Sequence, residues 1–414
     1  MDKPLAVLDR FGRPLAAVSD LTKEQRLTLA GGDLGYYVAT NASGKTVTLS
    51  SALTVSAVWA CIARSAQVMA ALPLDVYRKT STGRKKISGP VDDLIGLSPN
   101  ADQTPVEFWE GMLSWLLATG NAYAEIDEIN GRPVALLPLP SVLVKPIRNP
   151  VTRELMYEVR EPGMSRPRVL KQKQVLHLRG WGFGGDEGMS PIRWGTQSIG
   201  AAMAADEASG SMFGAGMQAS GILKTNQRVN ERQRPEIQKL LESYSGSSRA
   251  GKIMVLEAGM EFQQLSLNPD DAQMLETRRF SIEEVCRWFG VPPIVIGHSA
   301  EGQTMWGTGV EQIFLSWMQL GINPVLHKIE QRIRKQLIPL REQREVYAEF
   351  NREGLLQMDS KAKSEFLRAM TTNGIMSRDE ARDKLNLERR GGVADDLMVQ
   401  TAMSPIDLLN ERMG

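Results

Sequence analysis

The chain has 414 residues, 42% hydrophobic and 23% charged, enough for two or three compact units or one elaborate subunit with a real core. Those proportions and a count of only two cysteines exclude wholesale disorder, a collagen-like repeat and a disulfide scaffold. Forty-nine basic against 48 acidic residues leave a net charge of +1, which excludes a surface that grips phosphates everywhere and confines any nucleic-acid contact to a loose or local one.

Residues 1–46 read as a partly ordered arm ending in GGDLGYYVATNASGK. The segment MDKPLAVLDRFG lacks the apolar core of a signal peptide, and no run of 18 apolar residues is available to span a membrane, so a soluble product made in a cytoplasm is expected. A helix is predicted from about residue 54, with Val55, Val58, Trp59, Ile62, Ala66 and Met69 on one face. Pro73 ends it, and LPLDVYR follows as a strand. Thr104, Pro105 and Glu107 announce a second helix: a capping threonine, a proline in the first turn and a glutamate three residues on. Its apolar face is Phe108, Met112, Trp115 and Leu116, and Gly120 closes it. Residues 122–178 are β-rich, in short runs separated by Gly, Pro and Asn.

Ser190 and Pro191 open a third helix, crowded between 198 and 216 with Gly, Ala and Ser. So much glycine leaves an isolated helix weak, which points to support from close neighbours. A small αβ unit follows: ILK as a strand, 231–244 as a helix, then KIMVLE and MEFQQLSL as strands. Asn268-Pro269 caps a helix to Phe289 with Leu275, Ile282, Val285 and Cys286 on one side. It stops at GVPPIVIG, before the loop GHSAEGQTMWGTG. Thr308 and Glu311 cap the next helix, backed by Val310, Ile313, Phe314, Trp317 and Met318. Pro324 is expected to kink or break it before it continues through Val325, Ile329, Ile333 and Leu337. The last 70 residues are mostly helical, one helix running from Asp359 to Asn373-Gly374 and another opening at Ser377 with Glu380. Trp59, Trp115 and Trp317 are expected in the core.

Several motifs imitate catalytic chemistry. GSSRAGK at 246–252 has phosphate-loop spacing, but Ile253 stands where Ser or Thr should hold magnesium, and a helix precedes it where a strand is needed. GWGFGG at 180–185 fits a dinucleotide fingerprint, yet DEGM separates it from the next helix and places Asp186 and Glu187 where pyrophosphate would sit. His177, His298 and His327 form no ligand pair, and no two carboxylates are set apart by an apolar setting. Cys61 and Cys286 read as buried hydrophobes, not metal ligands. The basic run Lys328, Arg332, Arg334, Lys335, Arg341 and Arg344 is offset by Glu330 and Glu342 and reads as a solvated helix face or a subunit contact. No catalytic residue, cofactor or metal site is expected.

Beyond these residue patterns, SAVWACIARSAQVMAALPLDVYR, SPNADQTPVEFWEGMLSWLLATGNAYAEI and QVLHLRGW with GMSPI resemble the opening of a siphovirus-type phage portal protein. LETRRFSIEEVCRWFGVPPIVIG, SYSGSSRAGKIMVLEAGMEF and DSKAKSEFLRAMTTNGIMSRDEARDKLNL extend the resemblance in unbroken order over roughly 50 to 390. It implies an α+β subunit of a ring, generally dodecameric, at one capsid vertex of the virion, assembled in the host cytoplasm and without catalytic activity. Double-stranded DNA passes through such a ring in sequence-independent, transient contact. The terminase large subunit, head-completion or adaptor proteins, and the major capsid and scaffold proteins are the implied partners.

On this chain the resemblance implies an arm at 1–46, a β-rich wing at 47–190 and 310–353, stem helices at 191–217 and 269–291 and an αβ clip at 218–268. A tunnel loop at 292–309 and a helical crown and tail at 354–414 complete it. Loop composition then nominates His298, Ser299, Glu301, Gln303, Thr304, Met305 and Trp306 as facing DNA, and Gly200, Ala201, Ala204, Ala205 and Ala208 as stem packing. The competing readings are a nucleotide-binding enzyme built on the two glycine motifs, or another ring-forming head-tail adaptor.

Overall fold

The computed structural model describes residues 6–8, 14–17, 39–81, 83–161, 166–214, 221–225, 260–264, 271–298, 308–352, 360–385 and 387–398. The chain divides into two units, 1–350 and 351–414.

In the first unit β1 (Ala6–Leu8) pairs with β2 (Pro14–Ala17), and β3 (Ala39–Thr40) with β4 (Thr46–Val47), both antiparallel. Asn41, within the expected arm, and Val47, just after it, are both buried, so the chain already joins the core before residue 47. A short helix that periodicity does not reveal, α1 (Leu49–Leu53), follows at once. Thr48 Oγ1 accepts from Ser51 N at 3.0 Å, and Ser51 Oγ accepts from Thr48 N at 2.8 Å. In α2 (Ser56–Ala70), Val58, Ile62, Ala66 and Met69 are buried as expected. Trp59 is not: it is 61% exposed although Val55, one turn before it, and Ala66, two turns after it, are buried on its side of the helix, so periodicity gives the shared face but not how far along the helix that face is covered.

Next come β5 (Leu74–Thr80), β6 (Gly83–Lys86), α3 (Pro90–Gly96) and α4 (Pro105–Thr119), the last with the expected capping box on Thr104. Gly120 ends α4 at φ 77°, and a Cβ there would lie 2.4 Å from Met189 O, so glycine is required on both counts. The β-rich stretch resolves into β7 (Asn121–Ile129), β8 (Arg132–Leu139), β9 (Val144–Arg148), β10 (Leu155–Val159), β11 (Arg168–Lys171) and β12 (Val175–Arg179). They form two antiparallel three-stranded sheets, ordered β12-β7-β8 and β11-β10-β9. Tyr123, Val144, Tyr157, Leu170 and Val175 fill one core cluster, each large apolar side chain contributing about 1.5–3 kcal/mol by burial.

The helix opened by Ser190 breaks into α5 (Pro191–Trp194) and α6 (Thr196–Gly214) at Gly195. The reason is packing: a Cβ on Gly195 would lie 3.1 Å from the Trp288 ring. β13 (Gly221–Thr225) pairs antiparallel with β14 (Met260–Gln264), joining ILK to MEFQQ; the expected helix 231–244 and strand KIMVLE lie outside the described residues. α7 (Asp271–Phe289) packs against α2 and α6. Ile199, Ala202, Val285, Val58, Ile62 and Val47 form a second core cluster there.

After α8 (Thr308–Trp317) a π turn, Met318–Ile322, leads into α9 (Asn323–Gln336). The expected break at Pro324 thus takes the form of a widened turn. Proline lacks an N–H for the helical ladder, and the π geometry accommodates the missing bond without ending the helix. Trp317 is buried here, as expected. α9 packs on β12 and on β15 (Val346–Phe350), which completes a sheet ordered β15-β5-β6.

The second unit contains α10 (Ser360–Thr372), stopped at Gly374 (φ 69°), and α11 (Arg378–Asp383). Ser377 and Glu380 make the expected capping box. Asp379 accepts from Arg390 N at 3.0 Å and Gly391 N at 2.6 Å, and these bonds hold its carboxyl below the usual range.

Candidate nucleic-acid interface

The small-residue helix α6 presents two kinds of surface. Ile199 and Ala202 face the core with Met203 beside them, whereas Ala201 and Ala208 are exposed and Ala204 and Ala205 half-buried. Gly200 has a reason within the chain. A Cβ there would fall 1.4 Å from Asn41 Nδ2, which donates to Thr196 O at 3.0 Å. Asn41 Oδ1 accepts from Lys45 N at 3.1 Å and Ser43 Oγ at 2.6 Å, closing the β3–β4 turn. That turn is thereby clamped on α6, with Lys45 paired to Glu207. The turn-forming string NASG marks Asn41 as a loop residue, but its partner lies 155 positions away and has no signature in the sequence.

Trp288 joins α7 to α6. Its ring covers Gly195 and its Nε1 donates to Ser198 Oγ at 3.1 Å. One residue after Phe289, Gly290 reverses the chain at φ 64°, Val291 is buried, and Pro293–Ile296 form a 3-10 turn closed by Gly297 at φ 80°. Gly290 O approaches Gly321 of the π turn, where a Cβ would lie 3.2 Å away. The helical stop before the loop is therefore packed against the π turn that follows α8. His298 N donates to Pro293 O at 3.0 Å, and His298 Nε2 has no hydrogen-bond partner among the described residues. Ser299, Glu301, Gln303, Thr304, Met305 and Trp306 lie outside the described residues.

The groups that tempted a catalytic reading are engaged in holding the fold. His177, in β12, is fully buried. Its Nε2 faces Asn121 Oδ1 at 3.1 Å, an atom that only accepts, so Nε2 carries the proton and Nδ1 accepts from Tyr157 Oη at 3.1 Å. Burial first, then Arg179 and Arg332, push its pKa down to about 2, so the ring stays neutral. The GWGFGG glycines do not open a helix. Gly180 N donates to Gly120 O at 2.8 Å, a Cβ on Gly188 would lie 2.1 Å from that same oxygen, and Asp186 is bound by Arg148 through two hydrogen bonds. These are the requirements of a loop pressed on a helix terminus, not of a phosphate cradle. GSSRAGK lies outside the described residues.

Cys61 and Cys286 are both buried, their Sγ atoms 3.9 Å apart across α2 and α7. The neighbouring thiol and burial push Cys61 well above the usual thiol range. Among the described residues no three His, Cys, Asp or Glu side chains are grouped to hold a metal, and no helix is long and apolar enough to cross a membrane.

A family profile described as phage portal protein matches residues 56–386. The portal protein of Enterobacteria phage HK97 is 33% identical over 359 residues, covering 86% of this chain and 83% of its own length. The probable portal protein of Streptomyces phage phiC31 is 29% identical, covering 83% and 77%. Among solved structures, an HK97 family phage portal protein from Corynebacterium diphtheriae aligns with a TM-score of 0.56 at 16% identity, over 76% of this chain and 99% of that one. A chain from the neck of a native gene transfer agent particle, computed with C12 symmetry, aligns at 0.56 and 21% identity, over 81% and 93%.

Proposed function

The chain belongs to the phage portal protein family, which is non-enzymatic, and from that membership we propose that twelve copies close into a ring through which double-stranded DNA enters a capsid and later leaves it. The observation that carries this reading is the family match over residues 56–386. The C12 neck of a structurally similar particle supports the closed ring and a place at the portal vertex of the virion. Terminase, head-completion and adaptor proteins, and the capsid and scaffold proteins are the partners such a vertex requires.

In this assignment α6 and α7 are stem helices lining the channel, and the β13–β14 pair is the base of a clip at 218–268. The segment 292–309 is a loop projecting to the DNA, the sheets of 47–190 and 310–353 form the outer wing, and 354–414 form the crown. The packing of Gly290 against the π turn supports a loop anchored where α7 ends. Ala201 and Ala208, exposed on α6, leave a small-residue surface for a neighbouring stem. A net charge of +1 suits a channel for a polyanion, since each net phosphate contact would act as a brake on sliding.

Native mass measurement with negative-stain imaging tests the ring. Twelve copies of 45.8 kDa give about 550 kDa with a central hole. A compact monomer or dimer, in the presence of capsid and scaffold proteins as well as alone, would remove the reading.

A further inference from the structure

The β12-β7-β8 sheet carries a different feature at each end. Where β7 begins, a cavity of about 260 Å³ opens between α4, β12, α7 and α9, with Leu116, Leu178, Phe289 and Ile329 in its lining and Arg179 and Lys328 beside them. Helix α9 meets β12 in four-residue steps. Gln336 Nε2 donates to Val175 O at 2.5 Å and Gln336 Oε1 accepts from His177 N at 3.2 Å; Lys328 Nζ donates to Gly180 O at 3.0 Å. Arg332 is the step between them, half-buried near Arg179, and makes no hydrogen bond or ion pair among the described residues. Burial and Arg179 both push its pKa down, since it has lost water without gaining an acid.

Among the described residues Arg179 is hydrogen-bonded to no carboxylate. It donates to Gly185 O at 3.1 Å and to His177 Nδ1 at 3.4 Å, while nearby Asp186 is held by Arg148. An apolar hollow flanked by cations that are paired to no carboxylate among the described residues suits an apolar side chain with carboxylates next to it.

Such a group stands at the far end of the same sheet. β7 runs eight residues beyond Asn121, about 27 Å at the rise of a strand, to a tight turn at Asn130 (φ 53°) and Gly131 (φ 73°). Asp127, Glu128 and Ile129 are all exposed there, neither carboxylate is bonded among the described residues, and Arg132 offsets one of the two charges. A rotationally closed ring joins two different faces of each subunit, and complementary features at opposite ends of one sheet meet that condition.

We propose that the β7–β8 hairpin tip of one copy docks into the cavity between α9 and β12 of the next, Ile129 entering the apolar hollow and Asp127 and Glu128 meeting Arg179, Arg332 and Lys328. This rests on the ring reading above. A chain carrying Glu128→Cys and Lys328→Cys, oxidised as the assembled ring with copper phenanthroline, should run on a denaturing gel as a ladder of linked subunits. Either single variant should not, because Cys61 and Cys286 are buried. Arg332→Glu should lose rings, and adding Asp127→Arg with Glu128→Arg should restore them.

If Arg332→Glu fails to fold, the ladder decides. Rings that form without a ladder overturn the docking and leave the ring reading intact. Rings of Arg332→Glu that assemble normally but lose DNA assign these cations to phosphate and overturn it too. Wild-type chain that never forms rings overturns both.

Discussion

Gly200 illustrates how a residue with an unfavourable helical propensity is kept for a contact made elsewhere in the chain. Alanine is better than glycine in a helix by about 1 kcal/mol, yet here its Cβ would displace Asn41 from Thr196 O and leave the buried Asn41 amide without that acceptor. Gly200→Ala is therefore expected to lower the unfolding free energy by about 1–2 kcal/mol. Urea unfolding checks this, and a gain in stability would refute the clamp.

His177 makes a second prediction. Its folded pKa is depressed to about 2, so between that value and about 6.5 the unfolded chain binds a proton that the folded chain does not. The contribution is fully present above about pH 6.5 and is lost as pH falls, by about 1.4 kcal/mol per pH unit. His177→Gln should flatten this slope between pH 7.5 and pH 5 even though it also loses the stack on Tyr123, whose ring centre lies 4.3 Å away. Equal slopes for the two proteins would show that His177 titrates normally.

The joints between elements carry as much information as the elements themselves. Ser190 caps α5 by accepting from Arg193 N at 3.1 Å, and its Oγ donates to Ala118 O in α4 at 2.8 Å, with only 2% of the residue exposed. Ser190→Ala loses a cap and strands a buried carbonyl, an expected loss of about 2 kcal/mol in thermal or urea unfolding. A change below half that would mean the two helices are held by apolar packing alone. The loop that follows α7 is anchored at Gly290 and restarts at Thr308, so shortening 298–306 leaves the packed joint in place. Rings should still assemble, with DNA packaging or retention impaired; packaging at the normal level would remove the loop from the DNA path.

As an assembly subunit the chain leaves large apolar side chains in solvent. Trp181 and Phe183 stack edge to face 5.2 Å apart, and both are exposed, as are Trp59 and Trp194. Apolar surface of this kind marks an interaction site or an aggregation hazard. Subunits held as monomers should therefore scatter more light and precipitate sooner than rings at equal protein concentration. A monomer as well dispersed as the ring would show that these side chains are not covered on assembly.

Much of this molecule was legible in its amino acids because the signals are local. The capping boxes at Thr104 and Ser377, the stop at Gly120, the alternation through 122–178 and the apolar stripe of α2 each depend on residues within a turn or two of one another, and each stands where expected. The family resemblance was legible for a related reason: its motifs are contiguous strings, now matched by a family profile over 56–386. What only the tertiary structure decided is where partners distant in sequence meet. The burial of Val47, the exposure of Trp59, the clamp of Asn41 on Gly200, the break at Gly195 under Trp288 and the half-buried Arg332 beside Arg179 all depend on which side chains separate elements bring together. A period of 3.6 says which residues share a face, but which face is covered, and by what, is set by the neighbouring helix or sheet.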